Sequence, residues 1–125
     1  MKVAITATGP SLDAAMDPRF GRCACFVIVE TDDMSFEAIG NANGSLGGGA
    51  GIQSAQLMAQ KGAKAVLTGN CGPNAYETLS AAGIDVVVGC SGTVFEVVGR
   101  FQSGQLRAAL APNVASHSNL TGDGR

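Results

Sequence analysis

The feature that most constrains this chain is a change of hydrophobic rhythm near residue 50. Before it, apolar residues alternate in short runs: Val3-Ala4-Ile5-Thr6-Ala7, Phe26-Val27-Ile28-Val29-Glu30 and Ser35-Phe36-Glu37-Ala38-Ile39. That period of two predicts three strands, the last two joined by the turn residues Thr31-Asp32-Asp33. After it, Ile52, Ala55, Gln56 and Ala59 recur at helical spacing until Gly62, and two more helix signatures follow. Pro73 opens one that stops at Gly83, and Thr93 is a candidate N-cap for one that Gly104 closes. Ala65-Val66-Leu67-Thr68 and Ile84 to Val88 read as the intervening strands. Between the two regimes stands GGGAG, residues 47 to 51, with a further Gly at 44.

Three strands followed by helix, strand, helix, strand, helix predict an α/β fold with a mixed five-stranded sheet and helices on its faces. A meander makes strand 2 antiparallel to its neighbours, and helical crossovers make strands 3, 4 and 5 run with strand 1. Four loops then leave one end of the sheet: residues 9 to 23, 40 to 51, 69 to 72 and 89 to 92. Ligands of open α/β sheets bind at that end.

The chain has 125 residues, 46% of them hydrophobic, enough for one core but not for two. The expected domain is 1–107, with 108–125 a flexible C-terminal tail; PNVASHSNLTGDGR, from Pro112 onward, carries little apolar content. Charged residues make up 14% and the net charge is −2, so a basic surface of the kind nucleic acids require is not expected. No stretch approaches the roughly 20 apolar residues of a membrane span, and the N-terminus lacks the long apolar run of a signal peptide. Four cysteines without export signals point to reduced thiols in the cytoplasm.

Three of the loops run into helix N-termini, where backbone N–H groups and the helix dipole favour an anion and glycine permits close approach. Arg19 and Arg22 lie in the fourth, so an anionic ligand is expected, although each glycine taken alone is explained by a tight turn. A Walker loop is absent, and a GxGxxG starting at Gly47 fails at Ile52. Cys23, Cys71 and Cys90 are expected at the same end as the glycines, with Cys25 sharing a strand face with Cys23. Helix starts and nearby Arg would favour thiolate at Cys71 and Cys90, whereas each cysteine alone is equally well a small buried hydrophobe. The spacing is not a zinc motif. Soft thiolates in an anion-favouring cradle suit a sulfide cluster, with Cys23 and Cys71 as the leading contacts and Cys25, Cys90 and the tail residue His117 as secondary ones. Catalysis finds little support: the sole His is in the tail, and Asp17 before Pro18 reads as a turn former.

DPRFGRC (17–23), GGGAGIQSAQLMAQKGAKAVLTGNCGPNA (47–75), LSAAGIDV (79–86) and the FxxG at 101–104 resemble the dinitrogenase iron-molybdenum cofactor biosynthesis family, the NifX/NifY-type group. The resemblance covers about 1–107 and implies a three-layer ribonuclease H-like fold. It implies a non-catalytic protein that binds or carries molybdenum-containing sulfide clusters, in one single-domain type a molybdenum–copper sulfide cluster held non-covalently. Asp17, Arg19, Phe20, Gly21, Arg22 and Cys23 match the first loop of the family, and Gly48, Gly49 and Gly51 its glycine loop. Thr68, Gly69, Gly72 and Pro73 match the loop after strand 4, where Cys71 stands at a position other members fill differently. The resulting cradle comprises Arg19, Gly21, Arg22, Gly48, Gly49, Gly51, Asn70, Gly72, Ser91 and Gly92. The alternative function is a regulatory or scaffold protein that binds partner ATPases or cluster-assembly proteins with no cluster of its own. Strand 1 carries no carboxylate, so a two-metal nuclease is disfavoured despite the implied fold.

Overall fold

Strand β1 (Lys2–Ala7) is buried from Val3 to Ala7, as expected of a strand with neighbours on both sides and helices on both faces. In the computed structural model, which describes residues 1–42 and 50–113, it is the central strand of a five-stranded sheet. β2 (Cys25–Glu30) pairs with it antiparallel, Ile5 opposite Val27, and β3 (Phe36–Gly40) completes the meander. Helix α1 (Ala50–Gln60) crosses back to β4 (Ala65–Leu67), which pairs with β1 in parallel, Ile5 opposite Leu67. Helix α2 (Pro73–Ala81) leads to β5 (Asp85–Val87), and α3 (Val94–Gln102) ends the regular structure. The order β3-β2-β1-β4-β5, with only β2 reversed, is the mixed sheet that the change of rhythm predicts.

Alternation along the strands divides the core in two. Val3, Ile5, Val27, Val29 and Leu67 face α3 through Val94, Val97 and Val98, while Ala4, Phe26, Ile28, Val66 and Val86 face α1 and α2 through Ala55, Met58 and Leu79. Helices therefore cover both faces, giving the expected three layers. Among the described residues no helix is long and apolar enough to cross a membrane.

Helix starts follow local chemistry. Thr93 accepts a hydrogen bond from the Glu96 amide while the Glu96 carboxylate accepts from the Thr93 amide, a complete capping box. Pro73 occupies the first turn of α2, where its missing N–H costs nothing.

The loops at the carboxyl ends of the parallel strands interlock. Asn70 N–H donates to the Pro18 carbonyl at 2.6 Å, Phe20 N–H to Asn70 at 3.2 Å, Gly89 N–H to Gly69 at 2.8 Å, and Met16 N–H to Gly92 at 2.8 Å. Gly69 is where the 9–23 and 69–72 loops touch. A Cβ there would lie 2.6 Å from Pro18 Cβ and 2.8 Å from Pro18 Cα, a clash with backbone that cannot relax by rotating a side chain. Residues 108–113, the first part of the segment read as tail, also bond to the body: Ala109 N–H donates to Val86, and its carbonyl accepts from the Tyr76 hydroxyl at 3.0 Å.

Gly69→Ala is expected to lower unfolding free energy by about 1–3 kcal/mol, the range for overpacking a fixed contact. Gly99→Ala, inside α3 with nothing within 4 Å of the added methyl, is expected to be neutral or to stabilise by up to about 1 kcal/mol. Urea melts of both variants test the pair, and equal midpoints would refute the account of Gly69.

Candidate functional site

The 9–23 and 69–72 loops, joined at Gly69, flank an open cavity of about 250 Å³, lined by Arg19, Phe20, Arg22, Asn70 and Gly72. It lies below the roughly 300–1,000 Å³ of pockets that take drug-sized molecules and suits a small inorganic ion.

Its first wall is built on the turn after Met16. Buried Asp17 is anchored through its amide to the Thr6 carbonyl at 2.9 Å and through its own carbonyl, which accepts from the Thr6 hydroxyl. Its carboxylate accepts from the Arg19 amide at 3.0 Å, from Nε at 3.1 Å and from Nη2 at 3.2 Å. Burial alone would raise the carboxyl pKa, but these hydrogen bonds outweigh it and hold Asp17 below the ordinary value. Asp17 thus orients Arg19 and stays ionised. Phe20 turns inward against Phe26, ring centroids 5.8 Å apart, which fixes the backbone between the two arginines. Gly21, at φ 92°, packs on the start of α1; an added Cβ would sit 3.1 Å from Gly51 Cα. Gly51 in turn lies so close to α2 that its Cβ would be 3.2 Å from Ala75 Cβ. Gly21, Gly51 and Ala75 therefore bring the starts of α1 and α2 together beside the cavity. Asn41 secures the far side of the loop, donating to the Gly21 carbonyl at 3.0 Å and the Cys23 carbonyl at 2.9 Å.

The second wall is the start of α2. Gly72 is the N-cap and no side chain caps the helix, so the positive end of its dipole is left to whatever enters the cavity. The start of α3 differs from the expectation of free amides: Val94 N–H donates to Ala14, Phe95 N–H to Leu12, and Glu96 N–H to Thr93. The loop after β1 folds over this helix start and takes the groups an anion would need. Ser91 and Gly92 accordingly lie apart from the cavity, the Ser91 carbonyl accepting from Arg100 at 2.8 Å. Of the residues singled out from sequence, Arg19, Arg22, Asn70 and Gly72 line the cavity, and Gly21 and Gly51 support it. Gly48, Gly49 and His117 lie outside the described residues.

The cysteines depart from two expectations. Cys23 and Cys25 do not share a face: β2 starts only at Cys25, and the bend before it turns Cys23 into the α1/α2 cluster with Phe20, Cys71 and Ala75. Cys25 joins Cys90 in the cluster under α3. Nor is thiolate favoured. All four thiols are free and buried, Cys71 only 1% and Cys23 only 2% exposed. Burial pushes Cys71 up to about 11. Burial, reinforced by the Asp17 charge, pushes Cys23 up to about 12. Cys25 and Cys90 are raised as well, again mainly by burial. Dehydration outweighs helix starts and arginines here. No group of three or more His, Cys, Asp or Glu side chains suited to a metal ion occurs among the described residues.

Sequence reasoning missed Asn113. Its Oδ1 accepts from the Cys71 amide at 2.8 Å, its amide donates to the Cys71 carbonyl at 3.2 Å, and its Nδ2 donates to the Gly69 carbonyl at 3.1 Å and to Asn70 Oδ1 at 3.2 Å. Its only sequence signal is an Asn next to Pro112, which usually marks a turn.

Comparisons with known proteins identify relatives of this chain and of its fold. The family described as "Dinitrogenase iron-molybdenum cofactor" matches residues 1–104. An uncharacterised protein of Methanocaldococcus jannaschii is 34% identical over 109 residues, covering 85% of this chain and 89% of that protein. The apo form of the orange protein from Desulfovibrio gigas superposes with a TM-score of 0.87 at 47% identity, covering 90% of this chain and 95% of that one. A putative NifB protein from Thermotoga superposes at 0.76 with 31% identity and 98% of each chain covered.

The native protein is expected to react slowly with a thiol reagent at pH 7.5 and to yield four reactive thiols once denatured; rapid native reaction at Cys71 would contradict its burial. The same shifts predict a pH dependence. A folded pKa raised above the unfolded 9.0 gives stability that is complete below pH 9 and lost as pH rises toward 12. Urea midpoints should decline above pH 9, with a shallower slope in Cys23→Ala.

Proposed function

We propose, from the premise that this chain belongs to the dinitrogenase iron-molybdenum cofactor family, that it is a non-catalytic carrier of an anionic molybdenum-containing metal–sulfur cluster. The cargo is a molybdenum–copper sulfide or another molybdenum–sulfur species, held in the cytoplasm between the 17–22 and 69–72 loops. The observation that carries this reading is the cavity itself: two arginines, an asparagine and the uncapped start of α2 converge on a space sized for a small inorganic ion.

The chemistry is that of charge compensation. Arg19 has donors left after binding Asp17, and Arg22 and the α2 dipole add to the positive field. Both arginines are exposed, so screening by salt weakens their share and retention falls as ionic strength rises. Cys23 and Cys71 back the cavity as neutral, polarizable thiols. At pH 7 a thiol with a pKa of about 12 is ionised in roughly one molecule in 10⁵, so without cargo the thiols are neutral, and a thiolate bond to the cargo must first release a proton. Asp17 is tied to Arg19 and is not poised as a base. The burial of all four cysteines also supports a second reading, a scaffold that binds partner ATPases or cluster-assembly proteins and carries no cluster.

Anaerobic incubation with tetrathiomolybdate, with and without Cu(I), followed by desalting, absorption spectroscopy and metal analysis, separates the two. A stoichiometric chromophore is expected, lost about tenfold more readily from Arg22→Glu. Cys71→Ala should keep its spectrum; a bleached Cys71→Ala sample would restore thiolate ligation. No retained metal in the unaltered protein would favour the scaffold.

A further inference from the structure

We propose that Asn113 is a positioning residue for the cradle, which orients the Asn70 carboxamide so that its N–H₂ end, and not its oxygen, is presented to the cargo. The inference rests on the anionic-cargo reading of the same cavity and deepens it.

Asn70 lines the cavity and its side chain is exposed there. A carboxamide offers two donors on one end and an acceptor on the other, and a half-turn exchanges them. Left alone, such a group would present either end to an incoming ion. In this fold the choice is made from behind. Asn113 Nδ2 donates to Asn70 Oδ1 at 3.2 Å and to the Gly69 carbonyl at 3.1 Å, so the oxygen of Asn70 is drawn away and its nitrogen is left for the cavity. Asn113 cannot turn over in its turn. Its Oδ1 is fixed by the Cys71 amide at 2.8 Å, and its backbone N–H donates to the Cys71 carbonyl at 3.2 Å. A flipped Asn113 would set N–H₂ against N–H at Cys71 and oxygen against oxygen at Gly69. Two backbone groups thus fix one carboxamide, which fixes the next.

The same contacts occupy three acceptors on this loop: the Gly69 carbonyl, the Asn70 carboxamide oxygen and the Cys71 carbonyl. Each carries partial negative charge that would oppose an anion. The segment is itself held, since Ala109 N–H bonds to Val86 and the Ala109 carbonyl accepts from Tyr76, so Asn113 is not an isolated side chain lying on the surface.

Two variants test this with tetrathiomolybdate as the probe, using the full chain. Asn113→Asp keeps an acceptor for Cys71 but has no donor, so Asn70 must reverse to donate to it. Asn113→Leu removes the polar group without adding charge. Both are expected to weaken retention by about tenfold to a hundredfold, the worth of a hydrogen bond to a charged group. The side-chain amide resonances of Asn70 supply a readout that lost stability alone would not move. In the unaltered protein they shift on adding thiomolybdate, and in Asn113→Asp they are displaced beforehand and respond little. Retention in both variants equal to that of the unaltered protein would overturn the inference while leaving the carrier reading intact. Weakening in Asn113→Asp alone would also overturn it, by assigning the effect to charge. Failure of the unaltered protein to retain thiomolybdate both with and without Cu(I) would overturn both readings.

Discussion

Between the ends of β1 and β4 the hydroxyls of Thr6 and Thr68 lie 2.8 Å apart in an interior from which water is excluded. A buried hydroxyl without a partner costs on the order of 1–3 kcal/mol, so each must be satisfied where it stands. Thr6 bonds to Thr68 and also to the Asp17 carbonyl, and the Asp17 amide returns a bond to Thr6. The Thr68 amide and carbonyl bond to Val87 and Cys90. Through this pair three loops are tied to the centre of the sheet, which is why a cavity made of loops has fixed walls. The sheet supplies rigidity at one point, and Asp17 and Gly69 carry it outward to Arg19 and Asn70.

Charge is arranged with the same economy. A buried carboxylate is costly unless it is paired. Here Asp17 is satisfied by three donors of Arg19, and the result is an arginine held in place with donors remaining. Removing Arg19 would leave a buried unpaired charge beside the cavity. The thiols complement this design by remaining neutral: Cys23 and Cys71, raised by burial, add no negative charge on the α1/α2 side of the sheet.

Much of the architecture was legible in the sequence because it rests on period and punctuation. Alternation placed β1 and β2, Gly62, Gly83 and Gly104 ended the helices, and Thr93 marked the start of α3. Strand direction followed from the sense of the connections. At the site, Arg19, Arg22, Asn70 and Gly72 were recognisable because they sit in loops at the carboxyl ends of parallel strands, where topology alone brings them together. What could not be read was anything that depends on the last turn of the chain in space. Whether Cys23 follows the alternation of β2 depends on where pairing begins, and pairing begins at Cys25. Whether a helix start is free depends on what folds over it, and the loop after β1 covers α3 but not α2. Thiol acidity depends on depth, which residue type does not give. Asn113 is remote in sequence from everything it touches, and a single polar residue after a proline carries no signal of that contact.

The clamp on the second wall also fixes when the cavity can exist. Its walls come from residues 17–22 and 69–72, but β1 waits for β4 across α1, and the clamp arrives only with residue 113. Contacts of such sequence separation are made late, because the entropy of closing the intervening chain must be met before they repay it. A chain emerging from the ribosome therefore carries both arginines long before it has a cradle. A partly synthesised chain that lacks residue 113 has no clamped cavity.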